Sequence, residues 1–244
     1  AHPAVLQAVA DARVYMGFGI AGGVITSAPH LEWVHSGSAG VGSSITPEML
    51  ARRPLFTNSA GLHGPPMAES VLGMLLHFTR GFDLAAPGQA RREWDTAPFY
   101  EANAPLREVR ELTVGIVGFG GIGREVAHHV EALGGQVIPL RSSGSRADFE
   151  GLLRGSDVVV VTVPDTPGTR GMFDASAFAC MREGSLLINV SRGAIIDEFA
   201  LVDAGRPNLL QGTRLHLLAL RRELPGGAEL RKELAARTGL RPAQ

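Results

Sequence analysis

Gly118, Gly120 and Gly123 stand in the spacing Gly-x-Gly-x-x-Gly, between the apolar run Leu112-Thr-Val-Gly-Ile-Val117 and the helix-like stretch Glu125-Val-Ala-His-His-Val-Glu-Ala-Leu133. Glycines so placed, after a strand-like run and opening a helix-like one, suit the binding of a dinucleotide. Gly118 allows a tight turn, Gly120 leaves room for a pyrophosphate, and Gly123 lets the helix pack closely on the strand. Phe119, Gly121 and Ile122 complete this predicted cofactor-binding turn. Free N–H groups at the helix start then face the phosphates. A purely structural glycine turn is the alternative, and the flanking segments argue against it.

Three later segments carry further chemistry. Where the second strand ends, an NAD site usually places an Asp or Glu on the ribose 2′-hydroxyl, roughly 20 residues past the glycines. Here that place reads Leu140-Arg141-Ser142-Ser143, and no carboxylate follows until Asp148. A guanidinium beside a hydroxyl suits a 2′-phosphate, so Arg141 and Ser142 predict NADP(H). NAD with a solvated Arg141 is the alternative. The second segment, Val160-Val-Thr162-Val163-Pro164-Asp-Thr-Pro-Gly-Thr169-Arg170, is a strand end that turns at Pro164. Ligands of open α/β sheets bind beyond such carboxyl ends, which makes Thr162, Val163, Pro164 and Thr169 candidate cofactor contacts. The third, Leu186-Leu-Ile-Asn189-Val190-Ser191-Arg192-Gly193, puts an arginine at the tip of a buried strand. Arg192 is a candidate for binding an anion there, and Val190, Ser191 and Arg192 are further candidate cofactor contacts.

Strand and helix must alternate to position these residues. Strands are expected at Leu31–His35, Pro54–Asn58, Thr113–Val117, Gln136–Leu140, Val158–Val163 and Leu186–Val190. From Thr113 onward that order predicts an α/β, doubly wound parallel sheet. Ser36 to Gly42 is too rich in glycine for regular structure, and Thr46-Pro47-Glu48-Met-Leu50 reads as a capped helical turn. Met67–Phe82 is helical and apolar on nearly every face, as in a helix buried between elements or between subunits. Residues 83–111 are a polar, proline-bearing excursion with Trp94 and Phe99-Tyr100 as anchors.

Composition excludes several functions. The chain has 244 residues, 45% of them hydrophobic, and a formal charge of -1. That suffices for two domains, and it offers no electrostatic footprint for nucleic acid or an anionic membrane. No apolar run approaches the roughly 20 residues of a bilayer span. The single cysteine, Cys180, fits a reducing compartment, and a cytoplasmic location is expected. No histidine has a second ligand at metal spacing, so no metal site is expected. The chain begins Ala1-His2-Pro3 rather than with methionine, which predicts an upstream piece.

Val114-Gly-Ile-Val-Gly-Phe-Gly-Gly-Ile-Gly123, Val163-Pro-Asp-Thr-Pro-Gly-Thr-Arg170 and Ile188-Asn-Val-Ser-Arg192-Gly-Ala-Ile-Ile-Asp-Glu198 occur in this order. Together they resemble the D-isomer-specific 2-hydroxyacid dehydrogenase family, which includes glyoxylate/hydroxypyruvate reductases, formate dehydrogenase and phosphoglycerate dehydrogenase. The resemblance runs from about Leu31 to Val202. It implies a Rossmann-type sheet plus a partial flavodoxin-like substrate domain, with both ends of the chain incomplete. Residues 1–66 would be that substrate domain and 67–215 the dinucleotide-binding domain with a dimerisation helix and arm. Residues 216–244 would be a divergent tail, in which Ala228–Arg237 reads as a charged helix. The resemblance further implies that Arg192 is the catalytic arginine, which holds the substrate carboxylate and polarises the keto oxygen. Ala39, Gly40 and Val41 would receive that carboxylate on backbone N–H groups, as a glycine loop can. The implied reaction passes a hydride between NAD(P)H and a small 2-keto acid, in a homodimer. The sequence departs from the family where a Leu-Asp-Val-Phe segment, a catalytic Glu and a later His are expected. His216 stands at the aspartate and Arg221 at the glutamate, with Glu223 available if the alignment slips by two, and no histidine follows His216. The alternative is therefore an NAD(P)-binding, catalytically incomplete member without the general-acid His.

Overall fold

The computed structural model describes residues 2–42, 44–100, 106–204 and 215–217. Arg221, Glu223 and the helix expected at Ala228–Arg237 lie outside them. The chain divides into two units, Ala1–Pro65 and Pro66–Gln244.

In the first unit, helices α1 (Pro3–Ala8), α2 (Gly22–Ser27) and α3 (Pro47–Arg52) accompany strands β1 (Val14–Gly17), β2 (Trp33–Ser36) and β3 (Leu55–Asn58). The strands form a parallel sheet in the order β1-β2-β3, with Val14, Trp33 and Leu55 in register. Val34 and Leu31 pack with Val24, Ile25 and Met49 of the helices. Leu31 was expected to open β2. Its N–H instead donates to Ala28 O at 3.1 Å, closing the turn after α2, so pairing starts at Trp33. At α3, Thr46 Oγ1 accepts from Met49 N at 3.3 Å and Pro47 occupies the first turn, the cap that the Thr-Pro pair predicts. The sequence alone did not reveal β1, whose run of four residues is too short to show a period.

The second unit opens with α4 (Gly64–Thr79), α5 (Phe82–Arg91), α6 (Ala97–Tyr100) and a 3-10 turn at Val109–Glu111. It continues as β4 (Thr113–Val117), α7 (Gly121–Ala132), β5 (Gln136–Leu140), α8 (Arg146–Gly155), β6 (Val158–Val161), α9 (Ala175–Cys180), β7 (Leu186–Asn189), a 3-10 turn at Gly193–Ile195, α10 (Glu198–Ala204) and β8 (Leu215–Leu217). All five strands are parallel, in the order β5-β4-β6-β7-β8. Each residue of β6 and β7 is buried, as expected when helices cover both faces of a parallel sheet. Val114, Ile116, Val158, Val160 and Ile188 face α4 and α7. Val117, Val159, Val161 and Leu187 face α8 and α9, where Phe149, Leu153 and Phe178 fill the layer.

Both ends of α4 differ from expectation. The helix expected at Met67–Phe82 begins at Gly64, because Pro65 and Pro66 fall in the first turn, where no N–H is needed. It stops at Thr79 because Gly81 adopts a left-handed conformation, φ 71°, and starts α5. That places ordered helices inside the segment read as an excursion. Its four core residues, Ala68, Val71, Met74 and Leu75, pack against the chain's own sheet.

Candidate functional site

The register assembles the site. Val117 aligns with Leu140 on one side and Val161 on the other, and Val161 aligns with Asn189. The Gly118 turn, Arg141-Ser142, Thr162-Val163-Pro164 and Val190-Ser191-Arg192 therefore leave the sheet along one carboxyl edge. The order β5-β4-β6 reverses the chain's direction of winding beside β4, the kind of switch point where open α/β sheets take ligands.

The three glycines do different work. Gly118 has φ 101°, and a Cβ there would lie 2.8 Å from Val163 N. A Cβ on Gly123 would come to 2.3 Å from Gly118 O, so the helix can approach the turn only without a side chain. A Cβ on Gly120 would meet nothing within 4 Å. Space at Gly120 and crowding at the other two are what a pyrophosphate cradle requires. Gly120 is the N-cap of α7 and no side chain caps that helix, which leaves its first-turn N–H groups to an acceptor from outside. The turn thus fits a dinucleotide.

At the end of β5, the Arg141 guanidinium lies 4.8 Å from the centre of the Phe119 ring. Gly144 N donates to Arg141 O at 2.9 Å and closes the turn, with Arg141 and Ser142 exposed. Asp148, the nearest carboxylate in sequence, is committed elsewhere. It accepts from Ser145 Oγ at 2.7 Å and Ser145 N at 2.8 Å, which hold its carboxyl below the usual range. Arg146 is bound to Glu150 and Asp174, both at 3.2 Å. Among the described residues Arg141 has no carboxylate partner.

After β6, Thr162 Oγ1 donates to Gly118 O, and Thr169 Oγ1 donates to Pro164 O at 2.6 Å, which shapes the following loop. β6 ends at Val161 rather than at the expected Val163, although Thr162 N still donates to Val117 O at 2.9 Å. After β7, Asn189 is fully buried, and its amide donates to Arg192 O at 3.0 Å and accepts from Ser191 N at 2.9 Å. Ser191 Oγ donates to Val163 O, which ties the two loops together. The Arg192 side chain is exposed, with Nη1 donating to Ser191 O at 3.0 Å. Asn189 is the positioning residue that pattern reading passed over, and its signal was a lone amide ending an otherwise apolar strand.

Ala39, Gly40 and Val41 belong to the first unit, in the loop after β2, where Ala39 O accepts from Asn58 Nδ2 at 2.8 Å. His216 lies in β8, its backbone in register with Ile188. Among the described residues no cluster of His, Cys, Asp and Glu could hold a metal ion, and no helix is long and apolar enough to cross a membrane.

A parallel sheet with a glycine turn at its switch point defines a dinucleotide-binding protein of the Rossmann type. The chain belongs to the D-isomer specific 2-hydroxyacid dehydrogenase family: residues 72–218 match the model of that family's NAD binding domain. It is 36% identical over 160 residues to an (S)-sulfolactate dehydrogenase of Chromohalobacter salexigens, covering 61% of this chain and 50% of that protein. A putative D-3-phosphoglycerate dehydrogenase of Schizosaccharomyces pombe is 32% identical over 166 residues, 65% of this chain and 34% of its own length. A glycerate dehydrogenase of Methylorubrum extorquens is 30% identical over 154 residues, 62% of this chain and 49% of its own. The chain thus spans between 34% and 50% of the length of these relatives. Its fold matches that of D-lactate dehydrogenase from Aquifex aeolicus, solved with NAD and lactic acid, at a TM-score of 0.76 and 21% identity over 94% of this chain and 74% of that one. A D-isomer specific 2-hydroxyacid dehydrogenase from Xanthobacter autotrophicus Py2, solved with NADPH and MES, matches at 0.68 and 26% identity over 88% of this chain and 70% of that one.

Proposed function

We propose that the chain carries the dinucleotide-binding domain, residues 67–215, and part of the substrate domain, residues 1–66, of an NADP(H)-dependent oxidoreductase. Its substrate would be a small 2-keto acid such as glyoxylate or hydroxypyruvate. The observation that carries this reading is that Arg192 leaves β7 on the same sheet edge as the glycine turn. A nicotinamide dinucleotide bound there supplies or accepts the hydride. Gly118, Gly120, Gly123 and the first-turn amides of α7 hold its phosphates, and Phe119, Gly121 and Ile122 complete that turn. Arg141 and Ser142 take the 2′-phosphate, and Thr162, Val163, Pro164, Thr169, Val190 and Ser191 line the rest. Arg192 pairs with the substrate carboxylate and polarises the keto oxygen. Glycerate, phosphoglycerate and sulfolactate, after which the relatives are named, are all small 2-hydroxy carboxylates, in keeping with an arginine clamp.

A cytoplasmic homodimer completes the proposal. The segment after α4 exposes Phe82, Trp94 and Tyr100, with Trp94 93% accessible, as aromatic anchors of a subunit interface would be in a single chain.

A dinucleotide-binding protein without turnover is the second reading, favoured by Arg221 at the position where the family's glutamate is expected to support the general acid. Loss of a positioned general acid costs roughly a hundredfold to ten-thousandfold in rate. Measuring NADPH fluorescence on binding, and NADPH oxidation with glyoxylate, on one sample separates the two. Binding with oxidation is expected. Binding without oxidation leaves the second function standing, and no binding overturns both.

A further inference from the structure

We infer that Phe119 is a positioning residue for cofactor selectivity, its ring holding the Arg141 guanidinium where a 2′-phosphate is bound. This rests on the NADP(H) reading above and adds the element that makes it work. The Phe119 ring packs on the core cluster that contains Ala127, Val130 and Ile116 and is only partly exposed, so it is a fixed surface. Arg141 is exposed, and its guanidinium centre sits 4.8 Å from the ring centre. A guanidinium held over a ring face by cation–π attraction still has N–H groups to offer a phosphate oxygen pair. The ring also restricts a long side chain that would otherwise be ordered only when the phosphate arrives, and such preorganisation raises affinity.

Among the described residues no carboxylate pairs with Arg141. Asp148 is held by Ser145, and Arg146 by Glu150 and Asp174. The turn that carries Arg141 is itself tight, since a Cβ on Gly144 would lie 2.5 Å from Leu140 Cδ1. A 2′-hydroxyl gains little from a positioned cation, so the ring should act more on the 2′-phosphorylated ligand.

The test compares adenosine 2′,5′-bisphosphate with adenosine 5′-monophosphate by calorimetry, on the parent chain and on Phe119→Leu, Phe119→Tyr, Arg141→Lys and Arg141→Ala. Phe119→Leu should weaken the bisphosphate about two- to fivefold more than the monophosphate, the worth of an exposed cation–π contact. Phe119→Tyr should keep the parent ratio, because it keeps the ring. Arg141→Lys keeps the charge without the flat face and should lose selectivity as Phe119→Leu does. Phe119→Leu weakening both probes alike, or neither, overturns the positioning role. Arg141→Ala leaving the ratio unchanged overturns the NADP(H) reading itself, and a loss of about tenfold or more upholds it.

Discussion

Arg192 is held by its main chain and exposed at its side chain. Asn189 anchors the Arg192 carbonyl, while the guanidinium touches only Ser191 O among the described residues. Arg192→Ala should therefore abolish keto-acid binding and leave NADPH affinity nearly unchanged, as read by titration of each ligand. Equal loss of both would show that the arginine supports the turn rather than the substrate. Asn189→Ala removes an amide that satisfies Ser191 N and Arg192 O inside the sheet. It should cost about 1–3 kcal/mol in urea unfolding, the usual effect of leaving buried polar groups unpaired. The motif around Arg192 was legible in the sequence. The job of Asn189 was not, because its partners are set by how the chain folds back after β7.

At the scale of the element, the glycine turn and α7 act as one part, and its glycines can be separated. Gly123→Ala must push α7 or the turn aside, since the new methyl would sit 2.3 Å from Gly118 O. About 1–3 kcal/mol of stability should go with it, together with dinucleotide binding. Gly120→Ala meets no protein atom within 4 Å, so stability should hold within about 0.5 kcal/mol while NADPH affinity falls. Melting curves and fluorescence titrations on both variants check this, and unchanged NADPH affinity in Gly120→Ala would remove the pyrophosphate from that space. Strand positions were readable here because β4 and β6 are unbroken apolar runs bounded by turn residues. Their ends were less so. Thr162 continues the β-branched pattern past the strand's end at Val161, its N–H still donating to Val117 O while its hydroxyl bonds Gly118 O, a partner 44 positions away.

At the scale of the whole molecule, ligand binding and pH should both register in stability. NADPH at a hundred times its Kd should add about 2.7 kcal/mol to the unit that binds it, a melting shift on the order of 5–10 °C. No shift would exclude the site independently of catalysis. The opposite edge of the sheet is tied by Asp157, which accepts from Thr113 N at 2.8 Å and pairs with Arg107 at 2.9 Å and Arg182 at 3.2 Å. Burial pushes its carboxyl up, but the Thr113 N–H and the two guanidiniums outweigh that and hold it below the usual range. A carboxyl lowered by folding adds stability above its unfolded value, about 3.9, and loses it as pH falls through the folded value. Asp157→Asn should thus unfold at lower urea than the parent at pH 7, and the gap should narrow as the solution is acidified below pH about 4. A gap that is constant with pH would mean that the charge on Asp157 contributes nothing.

What depends on neighbours in the chain was determined by the sequence: apolar runs make the parallel strands, the Thr46-Pro47 pair starts α3, and the glycine spacing makes the cofactor turn. Arg141 without a nearby carboxylate and Arg192 before Gly193 were likewise visible in one dimension. Only the tertiary structure decided which groups meet. Pairing β4 with both β5 and β6 brings Phe119 under Arg141 and Thr162 onto Gly118, and pairing β6 with β7 brings Ser191 onto Val163. The reason is range: spacing and turn chemistry act over a few residues, whereas the reach of a side chain across a sheet edge depends on strand register between distant segments.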